Sequence, residues 1–171
     1  MNIKDIFNIC LAKKLSGGGS STSLINSLVD KSITSINCSA SSVGSNAFYG
    51  CTELETGVFP NAVTVENNAF SGCSKLQLVD FGSAESFIQR TFSNCSNLDT
   101  IIIRTNSVCV LDNRYASLST TKFGVAGGDI GGKLYVPQAL VSDYENDSGW
   151  AYMLTLNENN QILAIEGSIY K

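Results

Sequence analysis

The sequence predicts a solenoid of the α/β class, in which coils of about 22 residues stack and each contributes short parallel strands. The prediction rests on three residue types that recur at one common interval, with no insertion or deletion between the copies. These residues are Phe48, Phe70 and Phe92, then Cys51, Cys73 and Cys95, then Leu54, Leu76 and Leu98. Stacking makes residues one interval apart spatial neighbours, so each set is expected to form a column.

The composition fits one folded domain. The chain has 171 residues, of which 43% are hydrophobic and only 15% are charged, and these values argue against disorder. A net charge of -4 gives no reason to expect a nucleic-acid partner. No apolar run approaches the ~20 residues that a membrane span needs, so no membrane span is expected.

The residue that catalytic sites use most often as a general base is absent. The chain contains no histidine, which removes the commonest general base and metal ligand. Asp143, Glu145 and Asp147 alternate as in a calcium loop, but Leu154 stands where the closing glutamate belongs, so we expect a solvated loop. We therefore predict no enzyme, no catalytic residue, no metal and no cofactor. A glycan-active enzyme with paired carboxylates stays as a minor alternative.

The first 32 residues predict a tethered helix followed by a cap. Residues 1–15 place apolar side chains on one helical face, and residues 16–23 are a Gly/Ser linker. Residues 24–32 are expected to form a short helix that covers the first coil. The apolar stripe suits an attachment helix that docks on a partner, or a helix that packs on its own solenoid. The stripe consists of Ile3, Ile6, Phe7, Cys10 and Leu11.

Residues 33–110 are predicted to form the solenoid, beginning with a degenerate coil at Ile33 and Ile36. In each coil, alternation after the recurring leucine indicates a short strand with every second side chain inside. A second apolar position follows six residues later, and the Ala-Phe-x-Gly-Cys segment is expected to close the coil by a turn or short helix. The inward positions are Leu54, Gly57, Phe59, Leu76, Val79, Phe81, Leu98, Ile101 and Ile103, and the second series is Val43, Val65, Phe87 and Cys109.

Residues 111–171 are predicted to cap the other end of the solenoid. Lys133–Val136 reads as a strand that Pro137 ends, residues 138–144 suit a short helix, and residues 161–165 suit a last strand. We expect Trp150, Tyr152 and Leu154 to fill the open end of the core. The cap is therefore expected to have the order strand, helix, strand.

The six cysteines are expected to be mainly structural. Three of them share one column, and buried free thiols behave as small apolar residues. A disulfide framework is the minor alternative, because stacking already supplies a core.

The side chains between the inward positions predict a contact surface. They point out of the strand face, and several of them are apolar, which is typical of a binding surface. The alternative is that the N-terminal helix or a neighbouring chain covers this face. The candidate residues are Thr56, Val58, Leu78, Asp80, Thr100, Ile102 and Arg104.

The repeated Ala-Phe-x-Gly-Cys-x-x-Leu unit resembles the BspA-type leucine-rich repeat of bacteria and their phages. The ending, with Leu134 to Pro137, Trp150 and Ile162 to Ile165, is similar to the usual end of that family. The resemblance covers about residues 33–165. It implies a leucine-rich-repeat coil and a surface protein that adheres to host proteins or cells, and it supplies no catalytic residues.

The start of the chain adds a further expectation. It shows no export signal and instead resembles the attachment peptides of small phage structural proteins. The expected partner is a protein or surface glycan of a host cell, with a virion protein bound through the N-terminal helix, and self-association stays open. The expected location is a virion or the extracellular surface after assembly in the cytoplasm. The alternative is a cytoplasmic interaction scaffold.

Overall fold

The structure is a computed structural model that describes residues 31–112, 118–124 and 131–171. Its coils follow one another through two parallel sheets on opposite sides of a shared core. The first sheet contains β1 (Ser35–Asn37), β3 (Thr56–Phe59), β5 (Leu78–Phe81), β7 (Thr100–Ile103), β9 (Lys133–Val136) and β10 (Gln161–Ala164). The second contains β2 (Ser42–Val43), β4 (Thr64–Val65), β6 (Ser86–Phe87) and β8 (Val110–Leu111).

The first sheet confirms the predicted solenoid. Its strands lie in the order β1-β3-β5-β7-β9-β10, and all neighbours are parallel. Thr56 pairs with Leu78 and Leu78 with Thr100, which is the 22-residue interval of the sequence. Strands spaced in this way can only be connected by one full turn of the coil, so each repeat supplies one turn.

The second sheet corrects one register prediction. Phe87 pairs with Leu111 rather than with Cys109, because the connection from β7 to β8 is two residues longer than the connection from β5 to β6. Cys109 is nevertheless fully buried. Because of the longer connection, Leu111 takes the inward position of β8. The backbone of Cys109 is then available for hydrogen bonds with residues that follow in the chain.

The phenylalanine column is confirmed. The ring centroids of Phe48 and Phe70 lie 5.2 Å apart with planes at 11°, and those of Phe70 and Phe92 lie 5.6 Å apart with planes at 12°. Phe59 and Phe81 form a second stack, 5.4 Å apart. The predicted aromatic core is therefore a double ladder, in which Phe70 lies between the rings of the coils above and below.

Tight turns close each coil beside the phenylalanine column. Gly50 and Gly72 have positive φ angles of 68° and 81°, and Asn94 occupies the same position of the next coil with a φ of 59°. Glycine adopts this left-handed conformation without cost, and asparagine is among the residues that tolerate it best. The Gly-to-Asn change between copies therefore preserves the turn.

The cysteine column consists of buried free thiols, as predicted. The Cys73 Sγ donates to the carbonyl oxygen of Phe48 at 3.0 Å, and the Cys95 Sγ donates to that of Phe70 at 3.0 Å. Contact with the Cys95 thiol and burial raise the pKa of Cys73, so its thiol stays protonated at neutral pH. Cys38 differs from the column, because it is disulfide-bonded.

The residues after β9 form two short helices and a last strand. A 3₁₀ turn (Gln138–Leu140) leads into α1 (Val141–Asn146) and α2 (Ser148–Leu156), before β10 pairs with β9. Trp150 of α2 is fully buried, and its Nε1 donates to the carbonyl oxygen of Cys109 at 2.7 Å. The prediction for Tyr152 is wrong, because 52% of this residue is exposed on the outer side of α2.

The expectation of a solvated loop at the alternating acidic residues is also wrong. Asp143 and Glu145 lie within α1, and Asp147 accepts hydrogen bonds from the backbone N–H groups of Gly149 and Trp150. Asp147 therefore caps the first turn of α2, which is a common role of aspartate at this position.

A buried asparagine joins three segments near β9. Asn160 Nδ2 donates to the carbonyl oxygens of Phe123 at 2.8 Å and Met153 at 2.7 Å, and its Oδ1 accepts from the N–H of Gly132 at 2.7 Å. One side chain thus satisfies backbone groups of the 118–124 segment, α2 and the start of β9. Buried polar groups need such partners.

The predicted attachment helix at residues 1–15, the linker at residues 16–23 and all but the last two residues of the cap at residues 24–32 lie outside the described residues. These assignments, and the boundaries of the solenoid at 33–110 and of the cap at 111–171, stay predictions.

Candidate binding face

The outer face is the side of the first sheet that points away from the core, and we define it by the outward side chains of β3, β5, β7 and β9 together with the residue that follows β7. In β3 and β5 the side chains alternate between half-buried and buried, as the period-2 pattern predicts. The outer face consists of Thr56, Val58, Leu78, Asp80, Thr100, Ile102, Arg104, Lys133 and Tyr135.

The outward residues of β7 differ from those of the two preceding strands. Thr100 is only 7% exposed and Ile102 only 1%, whereas the repeat pattern predicts half-exposed side chains. Ile102 is not part of the continuous core cluster that includes Ile101 and Ile103. Its burial therefore comes from the outer side of the sheet, so the part of the predicted contact surface at Thr100 and Ile102 is covered within the chain itself.

An ion pair crosses the outer face between two coils. The Arg104 guanidinium donates from Nε to Asp80 Oδ1 at 2.9 Å and from Nη2 to Asp80 Oδ2 at 2.8 Å. The hydrogen bond to Asp80 raises the pKa of Arg104. This two-point geometry holds the plane of the guanidinium in a fixed orientation, which a single hydrogen bond does not achieve.

Two tyrosines complete the outer face on the side of β9. The rings of Tyr135 and Tyr170 meet edge to face with centroids 4.8 Å apart, and Arg104 Nη2 also donates to the carbonyl oxygen of Tyr170 at 2.9 Å. Neither tyrosine was among the site residues predicted from the sequence. The alternation within β9 is a signal that points Tyr135 outward, but no repeat register reaches Tyr170.

The outer face brings together most of the predicted site residues but no catalytic arrangement. Within the described ranges, no group of three or more cysteine, aspartate and glutamate residues is arranged to hold a metal ion. A phenol with a strongly perturbed titration lies in the core: burial raises the pKa of Tyr144 to about 12, and its hydroxyl accepts a hydrogen bond from the N–H of Cys109. The chemistry that the outer face offers is apolar contact, hydrogen bonding and one oriented guanidinium.

Comparison with known families agrees with this geometry. Residues 25–126 match the model of the BspA type leucine rich repeat region, with six copies. The chain belongs to the BspA-type leucine-rich repeat family. No curated protein matches the chain.

BspA-type repeats indicate a protein-interaction or surface module, and leucine-rich-repeat solenoids are typically non-catalytic binding modules. The part of the chain that the structure describes contains no helix that is both long enough and apolar enough to span a membrane. The resemblance noted in the sequence is thus confirmed at the level of family and fold.

Proposed function

We propose that this BspA-type protein is a non-catalytic adhesion and display module that binds a protein partner through its outer face. Parallel strands fixed on the aromatic ladder give a rigid surface, and interaction proteins of the solenoid type use such extended surfaces for binding. A surface of this kind needs no conformational change to bind.

The observation that carries the proposal is the pair of apolar side chains at Val58 and Leu78. Both are half-exposed on adjacent strands, beside Thr56 and the ion pair of Asp80. Apolar side chains at the centre of a polar rim are typical of protein interfaces. Together they favour a protein over a glycan, because glycans are bound mainly through hydrogen bonds and stacking on aromatic rings, and the aliphatic Val58 and Leu78 offer neither.

The proposal is tested with the full chain, labelled with a fluorophore, on an immobilised peptide array and on a glycan array. The double substitution Val58→Arg/Leu78→Arg places two charges at the centre of the outer face. The control Thr64→Arg/Ser86→Arg places the same charges on half-exposed outward positions of the second sheet. We expect the unsubstituted chain to bind peptides on the array. The affinity of the Val58→Arg/Leu78→Arg variant should be at least about tenfold lower, because both charges must lose their water at the interface.

Circular dichroism and the melting temperature of both variants establish that the loss is not caused by unfolding. Equal peptide binding by the two variants would place the binding surface elsewhere. Binding confined to the glycan array would replace the protein partner with a glycan, and turnover of any arrayed glycan would contradict the absence of catalysis.

We further propose that residues 1–15 attach the module to a phage particle or to a cell surface, with residues 16–23 as the tether. The support is in the sequence: the apolar stripe of Ile3, Ile6 and Phe7 is followed by Gly17-Gly18-Gly19 and a serine-rich stretch. In the sequence, a Gly/Ser-rich stretch separates the stripe from the repeats, and this composition is typical of a tether rather than of a tightly packed cap.

The substitution Ile6→Asp separates this proposal from the scaffold alternative. If residues 1–15 are an attachment helix, the melting temperature of the repeats stays within about 2 °C of the unsubstituted chain, as for a change away from the core. If the helix packs on its own solenoid, a buried aspartate lowers the melting temperature by several degrees. Lys4→Asp, off the apolar stripe, is the control.

A further inference from the structure

The outer face is open over β3 and β5 and closed over β7. Val58 and Asp80 are half-buried, but Ile102 at the equivalent position of β7 is 1% exposed. Ile165, just after β10, is likewise buried at 7% exposure outside the continuous core cluster. Both residues are therefore buried without belonging to the core cluster.

The segment that closes this part of the face is Glu166–Lys171, which we name the strap. A turn after Ile165 directs it back over the sheet: the Ser168 N–H and Oγ both donate to the carbonyl oxygen of Ile165, and the Tyr170 N–H donates to Ser168 Oγ. The Tyr170 ring then meets Tyr135, which is the register partner of Ile102 in β9.

The contacts of the strap with the face are few and lie close together. They are the ring contact of Tyr170 with Tyr135 at 4.8 Å and the hydrogen bond from Arg104 Nη2 to the carbonyl oxygen of Tyr170 at 2.9 Å. The neighbouring Ile169 is 91% exposed, and a side chain at Gly167 would meet nothing within 4 Å. The strap is therefore held at its start by Glu166, whose Oε2 accepts from the N–H of Gln138 at 2.8 Å, and on the outer face by Tyr170, with Ile169 at the surface.

These contacts are the ones that an external peptide would make. An edge-to-face aromatic contact and a guanidinium hydrogen bond to a main-chain carbonyl recognise an extended segment with one aromatic side chain, whatever chain supplies it. Asp80 holds the guanidinium in place from the other side, so the donor keeps its orientation when the strap leaves.

We propose that the strap occupies, within its own chain, a peptide-binding surface formed by Ile102, Arg104 and Tyr135. The partner that fits this surface is an extended peptide segment with an aromatic side chain, which displaces the strap on binding. The inference deepens the proposed function and rests on it, because the surface is continuous with Val58 and Leu78. The strap then lowers the affinity for weak partners by competing with them.

The test uses the full chain and a fluorescein-labelled peptide with the sequence of Glu166–Lys171, followed by fluorescence anisotropy. In the unsubstituted chain the strap is present at an effective concentration of the order of millimolar, so the peptide should not bind at micromolar concentration. The substitution Tyr170→Ala should empty the surface and increase peptide affinity at least about tenfold. Tyr152→Ala removes a tyrosine that is 52% exposed on α2 and should leave the affinity unchanged.

Two further variants make the result specific. Tyr170→Phe keeps the aromatic ring and should behave as the unsubstituted chain does. Tyr170→Ala/Arg104→Gln should lose the peptide again, because the donor to the main-chain carbonyl is removed. A peptide in which alanine replaces the tyrosine should not bind any variant.

The proposal is overturned if folded Tyr170→Ala protein does not bind the peptide, or if this variant loses cooperative unfolding, since the strap would then be part of the structural core.

The outcome of this peptide-binding experiment is separate from that of the array experiment. Peptide capture without an array partner would contradict only the proposed function. Array binding that depends on Val58 and Leu78, without peptide capture, would contradict only the role of the strap.

Discussion

Replacing Phe70 by alanine is expected to lower the free energy of unfolding by about 3–5 kcal/mol, which is the usual cost of removing a fully buried aromatic side chain. Phe70 is fully buried at the centre of the ladder, and its ring lies 5.2 Å from that of Phe48 and 5.6 Å from that of Phe92. The loss corresponds to a fall in melting temperature of roughly 6–20 °C for a chain of this size. Urea denaturation followed by circular dichroism measures it.

Two controls locate the effect in the ladder. Phe48→Ala removes a ring that stacks on the Phe70 ring alone within the described residues and should cost less. Tyr49→Ala changes the adjacent residue, which is 55% exposed, and should stay within about 0.5 kcal/mol of the unsubstituted chain. A cost for Phe70→Ala no larger than for Tyr49→Ala would show that the ring is not held between coils.

Replacing Trp150 by alanine is expected to have the second largest effect, also about 3–5 kcal/mol. Trp150 is fully buried where α2 meets the last coils, its ring lies edge to face with Phe87 at 6.2 Å, and its Nε1 donates to the carbonyl oxygen of Cys109 at 2.7 Å. Its removal leaves a cavity and takes a donor from a buried carbonyl. Tryptophan fluorescence cannot follow the unfolding of this variant, because Trp150 is the single tryptophan of the chain. The denaturation curves are therefore followed by circular dichroism.

The substitution Trp150→Phe separates the two contributions. It keeps an aromatic ring but removes the hydrogen bond, and a buried acceptor that loses its donor costs about 1–3 kcal/mol. Its effect should therefore be smaller than that of alanine. If both substitutions were tolerated without loss, α2 would not be part of the cooperative unit that includes the solenoid.

The sequence was sufficient to predict the coils because their register is a property of the repeat itself. The interval between Phe48, Phe70 and Phe92 fixes which residues stack, and the alternation within each strand fixes which side chains enter the core. Packing then confirms the arrangement, since a shift by one residue would turn Phe59 and Phe81 toward solvent.

The features that sequence reasoning missed all lie where the repeat register ends. The two extra residues before β8 moved the inward position from Cys109 to Leu111, and no local signal distinguishes an insertion from a weakened repeat. The acidic residues near Asp147 lie in a helix or cap one, whereas a loop was predicted. The spacing of acidic residues does not show where the backbone begins a helix.

The outer face also contains a feature that the repeat pattern does not predict. Thr56, Val58 and Leu78 were predicted as outward positions, and all three are half-buried in the structure. The ring contact of Tyr135 with Tyr170 joins residues that are distant in sequence, and Tyr170 belongs to no repeat. A contact of this kind follows from where the chain returns after β10, and alternation within a strand contains no information about that path.

The stacking of coils is the claim on which the outer face, the strap and the proposed function all depend. It is tested most directly by nuclear Overhauser spectroscopy on protein in which only the phenylalanine rings are protonated. We predict cross-peaks between the rings of Phe48 and Phe70 and between those of Phe70 and Phe92, with none between Phe48 and Phe92. Absence of the first two, or a direct contact between the outer pair, would contradict the account.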